Sequence, residues 1–156
     1  MTDARLVAIY VATAAGAPME ARDRIDALAG VGLRDDRYAT GTGTYSGRRD
    51  TRDVTLIERE AVDAVRSEDR GVEVREDQTR RNLVTDGIAL NHLVGRTFRI
   101  GMVRMRGVRL AEPCAYLEQL TGLVGVRAAL VHRGGLRAEI LDDGELRVGD
   151  AIEPSV

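Results

Sequence analysis

Apolar and charged positions alternate in short runs along the chain, and glycine or aspartate closes most of them. Leu6-Val-Ala-Ile-Tyr-Val-Ala12 is nearly continuous in apolar and β-branched residues and predicts a buried strand. Met19–Ala29 fits neither period: its charges at Glu20, Arg22, Asp23, Arg24 and Asp26 alternate imperfectly, which leaves helix and strand both open. Asp53-Val-Thr-Leu-Ile57 predicts a second strand. Glu58–Asp69 then changes to helical spacing, with Ala61, Val62 and Val65 on one face, Glu58 in the first turn and Gly71 as the stop. Ile88–Gly95 reads as a helical turn. Thr97–Ile100 and Met102–Met105 read as short strands that meet at Gly101, as at a tight corner of a barrel. A strand-like run leads into Pro113 and Cys114, and Ala115–Thr121 reads as a short helix. Val126–Val131 is apolar and is interrupted by His132-Arg-Gly-Gly135; Leu136–Leu141 is a further strand, and Asp142-Asp-Gly-Glu145 carries a hairpin-turn signal. Short strands closed at frequent intervals predict a mainly β, barrel-like fold over a doubly wound sheet.

The composition adds two constraints. Seventeen glycines supply many turns, and Phe98 with four tyrosines makes up all the aromatic content, so the core must be built from Val, Leu, Ile and Ala. A length of 156 residues predicts one domain over 1–156. With 23 basic against 25 acidic residues, no global field favours nucleic acid or an anionic membrane surface. No apolar run is long enough to span a bilayer, and no leader pattern is evident; the expectation is a cytoplasmic protein. A lone cysteine excludes an internal disulfide and any multi-cysteine zinc site.

That cysteine is the first candidate for chemistry. Cys114 sits at a strand-to-helix corner, where the amides opening a helix favour a thiolate; a buried spacer is the competing reading. Arg80 and Arg81 suit planar recognition of phosphate or carboxylate, with Asn82 beside them to meet a heterocycle edge. Adjacent residues point to opposite faces of a strand, so both arginines can face one pocket only from a loop. His132 and Arg133, followed by two glycines, offer an imidazole, a guanidinium and exposed backbone amides; a plain hairpin explains the glycines equally well. Cys114 and His132 could form a thiol-hydrolase dyad. Gly-x-Ser-x-Gly, Walker and Gly-x-Gly-x-x-Gly motifs are absent, and the two histidines lack zinc-ligand spacing. Thr40–Asp50, rich in glycine and hydroxyl residues, reads as a mobile loop or lid, or as a mere bridge.

Seven segments in order carry a resemblance: Gly32-Leu-Arg-Asp-Asp-Arg-Tyr38, Val54-Thr-Leu-Ile-Glu58, Arg80-Arg-Asn-Leu-Val-Thr-Asp-Gly-Ile88, Leu93-Val-Gly-x-x-Phe-x-Ile-Gly101, Glu112-Pro-Cys114, His132-Arg-Gly-Gly-Leu-Arg-Ala138 and Gly144-x-x-x-Val-Gly-Asp-x-Ile152. As an ordered set they resemble the MOSC domain, named for the C-terminal domain of molybdenum-cofactor sulfurase. The resemblance implies a pyruvate-kinase-type β-barrel with a few short peripheral helices and binding of molybdenum cofactor (molybdopterin). It makes Cys114 the functional cysteine, as metal ligand or persulfide carrier, with Arg37, Arg80, Arg81, Asn82, His132 and Arg133 as cofactor contacts. It implies either sulfur transfer with a cysteine desulfurase as partner, or molybdenum-dependent reduction of N-hydroxylated compounds with an electron-transfer partner. A non-catalytic interaction module is the remaining alternative. Two departures stand out. The family's Gly-Asp-Arg-Tyr is Asp35-Asp36-Arg37-Tyr38 here, and the chain contains no lysine, so it forms no pyridoxal phosphate Schiff base of its own.

Overall fold

The computed structural model describes residues 3–46 and 53–155. Strand β1 (Arg5–Val11) is the predicted first strand. The ambiguous stretch after it resolves into two short strands, β2 (Glu20–Arg22) and β3 (Arg24–Leu28), followed by β4 (Gly32–Leu33) and a single helical turn, α1 (Arg37–Thr40). Strand β5 (Val54–Glu58) runs directly into α2 (Arg59–Ser67), which buries Ala61, Val62 and Val65 as its spacing predicts. Glu58 caps this helix rather than lying in its first turn. The helix ends at Glu68, ahead of Gly71. A 3-10 turn (Glu76–Thr79) leads to β6 (Leu83–Asp86), and a second one (Leu90–Leu93) leads to β7 (Thr97–Ile100) and β8 (Val103–Leu110). Gly101 and Met102 form the tip of a β7–β8 hairpin, so the expected corner is a simple antiparallel reversal. Helix α3 (Ala115–Thr121) follows Cys114, and the apolar stretch beyond it is a further helical turn, α4 (Val126–Ala129). Strands β9 (Leu136–Ile140), β10 (Gly144–Arg147) and β11 (Ile152–Pro154) complete the chain.

Eight strands form one curled sheet in the order β11-β7-β8-β9-β5-β6-β1-β2. Its neighbours pair antiparallel except β5 and β6, the pair that α2 connects. Hydrogen bonds between Ala4–Leu6 and Gly149–Ile152 bring the β1 and β11 ends of the sheet together, which gives the barrel-like form. Strands β10, β3 and β4 make a separate small sheet. The Asp142–Glu145 turn is therefore not a β9–β10 hairpin. The Asp142 carboxylate takes the Arg104 backbone N–H and guanidinium, and Asp143 takes the Ala29 N–H, so the chain crosses to β3.

Alternation along the strands divides the apolar residues between two cores. Inside the curled sheet lie Leu6, Ile9, Val54, Leu56, Leu83, Phe98, Met105, Leu136, Ala138 and their neighbours. On the outer face, Ile57 and Val84 pack under Val62, Val65, Leu117, Val126 and Leu130 of the helices. The outer face also carries the polar residues that matter for function. Thr55 on β5 and Arg137 on β9 lie in register opposite each other, each between inward-facing apolar neighbours.

Candidate functional site

A cavity of about 240 Å3 opens on this outer face. Thr55 and Arg137 contribute from the sheet, Arg37 and Tyr38 from α1, Arg80 and Arg81 from the loop before β6, and Cys114 and Tyr116 from the start of α3. Three of the four tyrosines line it (Tyr38, Tyr45 and Tyr116), so a protein poor in aromatic residues concentrates them here.

Each arginine is fixed by a different device. Arg37 is almost fully buried against Asp36, which has no exposed surface; Nη1 lies 3.1 Å from the Asp36 Oδ1, and Nη2 donates to the Arg80 carbonyl at 3.2 Å. Its guanidinium also lies 4.7 Å above the Tyr38 ring. Arg80 adopts a left-handed conformation (φ +64) at the end of the 3-10 turn and donates to the Ala17 carbonyl. That turn is the loop geometry that lets neighbouring arginines face one space, and both line the cavity. Arg81 donates through Nε to the Gly134 carbonyl at 2.7 Å and through Nη2 to the Ala111 carbonyl at 2.6 Å. Among the described residues neither Arg80 nor Arg81 meets a carboxylate at ion-pair distance, so their charge is available to an anion. Burial lowers the pKa of both. Arg37 adds to the effect on Arg80, and Arg137 helps bring Arg81 down to about 10, still charged at neutral pH.

Cys114 caps α3 with extended backbone angles, and its side chain is partly exposed. The Tyr45 hydroxyl donates to Sγ at 3.0 Å. Burial opposes the thiolate, but the Tyr45 hydroxyl, the Leu117 and Tyr116 amides and the Arg81 charge outweigh it, so the thiol pKa falls below its ordinary value. Alkylation of Cys114 by iodoacetamide, measured against pH, is expected to show a midpoint below that of free cysteine. Tyr45→Phe removes a donor to the thiolate and is expected to move that midpoint upward and slow alkylation at neutral pH severalfold. An unchanged midpoint would show that Tyr45 does not act on the sulfur. The described part of the Thr40–Asp50 loop thus supplies Tyr45, while residues 47–50 lie outside the described residues.

Three expected contacts lie elsewhere. Asn82 is buried as a clamp beneath the cavity. Its Oδ1 accepts from the Thr55 N–H and hydroxyl, and its Nδ2 donates to the Tyr10 carbonyl, so its amide ties β5 to β1. His132 is mostly exposed, with Nδ1 on Glu112 at 2.8 Å, so no Cys114–His132 dyad is formed. Arg133 turns away to the Ala129 carbonyl and to Glu68. The sequence reading did not single out Tyr38, Tyr45, Tyr116, Thr55, Thr79 or Arg137. Only the outward alternation of Thr55 and Arg137 could have signalled any of them. Of the three non-glycine residues with left-handed backbone among the described residues, Arg80 lines the cavity, His132 bonds to the lining residue Glu112, and Asp35 lies two residues before Arg37. Strain of this kind persists where surrounding structure over-determines it, often at functional sites.

The model of the MOSC domain matches residues 43–153. The chain belongs to the MOSC domain family. That family is associated with molybdenum-cofactor binding. In fold this MOSC domain is similar to the YuaD protein of Bacillus subtilis, at 16% identity, with 99% of this chain and 96% of that chain covered and a TM-score of 0.78. It is also similar to YiiM from Geobacillus stearothermophilus (13% identity, 98% and 75% covered, TM-score 0.73) and from Escherichia coli (18% identity, 99% and 69% covered, TM-score 0.68). At these identities the likeness is one of fold. No curated protein sequence matches the chain. Among the described residues no helix is long and apolar enough to cross a membrane.

Proposed function

We propose that this MOSC domain binds a molybdopterin-type cofactor in the arginine-lined cavity, with Cys114 as the reactive sulfur at its metal end. The observation that supports this reading most is the shared cavity: a hydrogen-bonded, thiolate-favouring cysteine faces the same space as Arg80 and Arg81, which meet no carboxylate at ion-pair distance among the described residues.

The donor set fits the group. Arg80 and Arg81 present charge and N–H donors to a phosphate, and the tyrosine rings offer flat apolar surface to a heterocycle. Among the described residues no three His, Cys, Asp or Glu side chains gather to hold a metal. The protein therefore offers a single soft sulfur, which suits a metal already chelated by its own ligand. When bound, the cofactor supplies a redox-active metal held through a dithiolene. Arg81 keeps the Ala111–Glu112 segment in place ahead of Cys114, Asn82 holds Thr55 in the cavity wall, and Tyr45 orients Sγ. Cys114 would then serve as ligand to the metal, or would carry a sulfur atom as a persulfide for cofactor sulfuration.

Protein produced in a cofactor-making host and purified without oxygen is expected to retain molybdenum and pterin, and Cys114→Ser to lose at least the metal. Finding neither metal nor pterin in the wild-type protein would overturn the reading. Equal retention of both by the two proteins would overturn the ligand role of Cys114 and leave the sulfur-carrying one.

A further inference from the structure

We propose that the cavity takes a small oxyanionic sulfur donor of the thiosulfate class and that Cys114 receives the sulfane sulfur from it. This rests on the reading of Cys114 as a sulfur carrier and adds the chemical class of its donor.

The cations beside the thiol favour an anionic donor. Tyr45 lies over Sγ at hydrogen-bond distance, and the thiol is partly buried against Leu117 and its neighbours. The sulfur is thus presented to a cavity of about 240 Å3 that opens on the outer face of the sheet. A persulfide carried on another protein's side chain leaves a thiolate on that protein and makes no use of the guanidiniums beside Cys114. An oxyanion uses them twice. The sulfonate end binds Arg80 and Arg81 in the ground state, and the same donors take the charge of the departing sulfite.

The step balances without a further reagent. The Cys114 thiolate attacks the outer sulfur of thiosulfate, a sulfur–sulfur bond forms to Sγ, and the bond to the sulfonate sulfur breaks. Its electron pair leaves with sulfite, and Cys114 is left as a persulfide anion. The chain has no lysine for pyridoxal chemistry, so the sulfur must come from outside it, and a small soluble anion meets that need.

Reduced protein incubated with thiosulfate alone tests the assignment, with intact-mass spectrometry, a sulfite assay and thermal melting of each variant. The expected result is a mass gain of one sulfur atom on Cys114, one sulfite released per protein, competition by inorganic phosphate, and no gain in Cys114→Ser. Arg80→Gln, melting near the wild type, is expected to need about tenfold more thiosulfate for the same rate. The proposal is overturned if thiosulfate leaves Cys114 unmodified while iodoacetamide still alkylates it. Equal loading of wild type and Arg80→Gln would overturn it too. Loading by a desulfurase-bound persulfide but not by thiosulfate overturns the donor class and spares the carrier reading. Metal and pterin retention, measured separately, reports on cofactor binding alone.

Discussion

Asp36→Ala is expected to lower stability by about 3–5 kcal/mol and to dismantle one wall of the cavity, because it leaves the Arg37 charge buried without its partner. Asp36 has no exposed surface. Its carboxylate accepts from the Ala12 N–H and from Arg37 Nη1, each at 3.1 Å, and from the Tyr38 N–H at 3.3 Å. One side chain thus joins the end of β1 to the start of α1 and neutralises the cation between them. Asp36→Asn keeps acceptor geometry but loses the charge, and is expected to fall between the two. Asp36→Ala combined with Arg37→Met is expected to recover part of the loss, since replacing both members of a buried pair with apolar groups costs little. Urea unfolding of the four proteins measures this. A loss under about 1 kcal/mol for Asp36→Ala would mean that water reaches Arg37 in solution. The departure just upstream fits the same corner: Asp35 stands where the family's glycine is expected and adopts φ +68, a conformation that aspartate tolerates better than most residues.

The elements with a clear period were legible in the sequence. β1 and β5 carry their signal in runs of apolar and β-branched residues, and β9, α2 and α3 in the spacing of apolar against polar positions. β2 and β3 were not: β2 has only three residues, and the alternation of β3, with Arg24 and Asp26 exposed and Ile25 and Ala27 buried, is too short to stand out beside the charges of Arg22 and Asp23. The Asp142–Gly144 turn shows a second limit. Turn residues announce a reversal but not its partner, and here the two aspartates bond to Arg104 and Ala29 and send β10 to a strand from the other end of the chain.

The site was legible where its chemistry is local. Cys114 at a strand-to-helix corner and two arginines in a loop are readable from neighbours in sequence. Asn82 was read as a ligand group because a buried amide clamp and a ligand-binding amide look alike until the partners are known. His132 and Arg133 lie one or two residues from Gly134, whose carbonyl holds Arg81, yet their side chains go to Glu112 and to Ala129 and Glu68. Tyr45 had no signal, since its contact with Cys114 joins segments that only the fold brings together.

Gly135→Ala is expected to be the most damaging single-methyl change near the site, at about 3–5 kcal/mol from combined backbone strain and overpacking. Gly135 has φ +115, and a Cβ placed there would lie 1.9 Å from the Leu56 carbonyl oxygen of β5. Backbone, unlike a flexible side chain, cannot step aside, so β9 must part from β5 where the two run against each other. The consequence reaches the cavity. The Gly135 carbonyl accepts from the Ala111 N–H at 2.8 Å, and the adjacent Gly134 carbonyl holds Arg81. Displacing this segment therefore moves the supports of both Arg81 and the Glu112–Cys114 turn. Gly30→Ala is the matched control: it shares a positive φ, at +68, but has nothing within 4 Å of the added methyl, so it carries the backbone cost of about 1 kcal/mol alone. Thermal melting is expected to place Gly135→Ala about 10 °C below the wild type and Gly30→Ala within a few degrees of it. Comparable melting of the two variants would show that β5 and β9 have slack at this point, and that the cavity does not depend on their close approach.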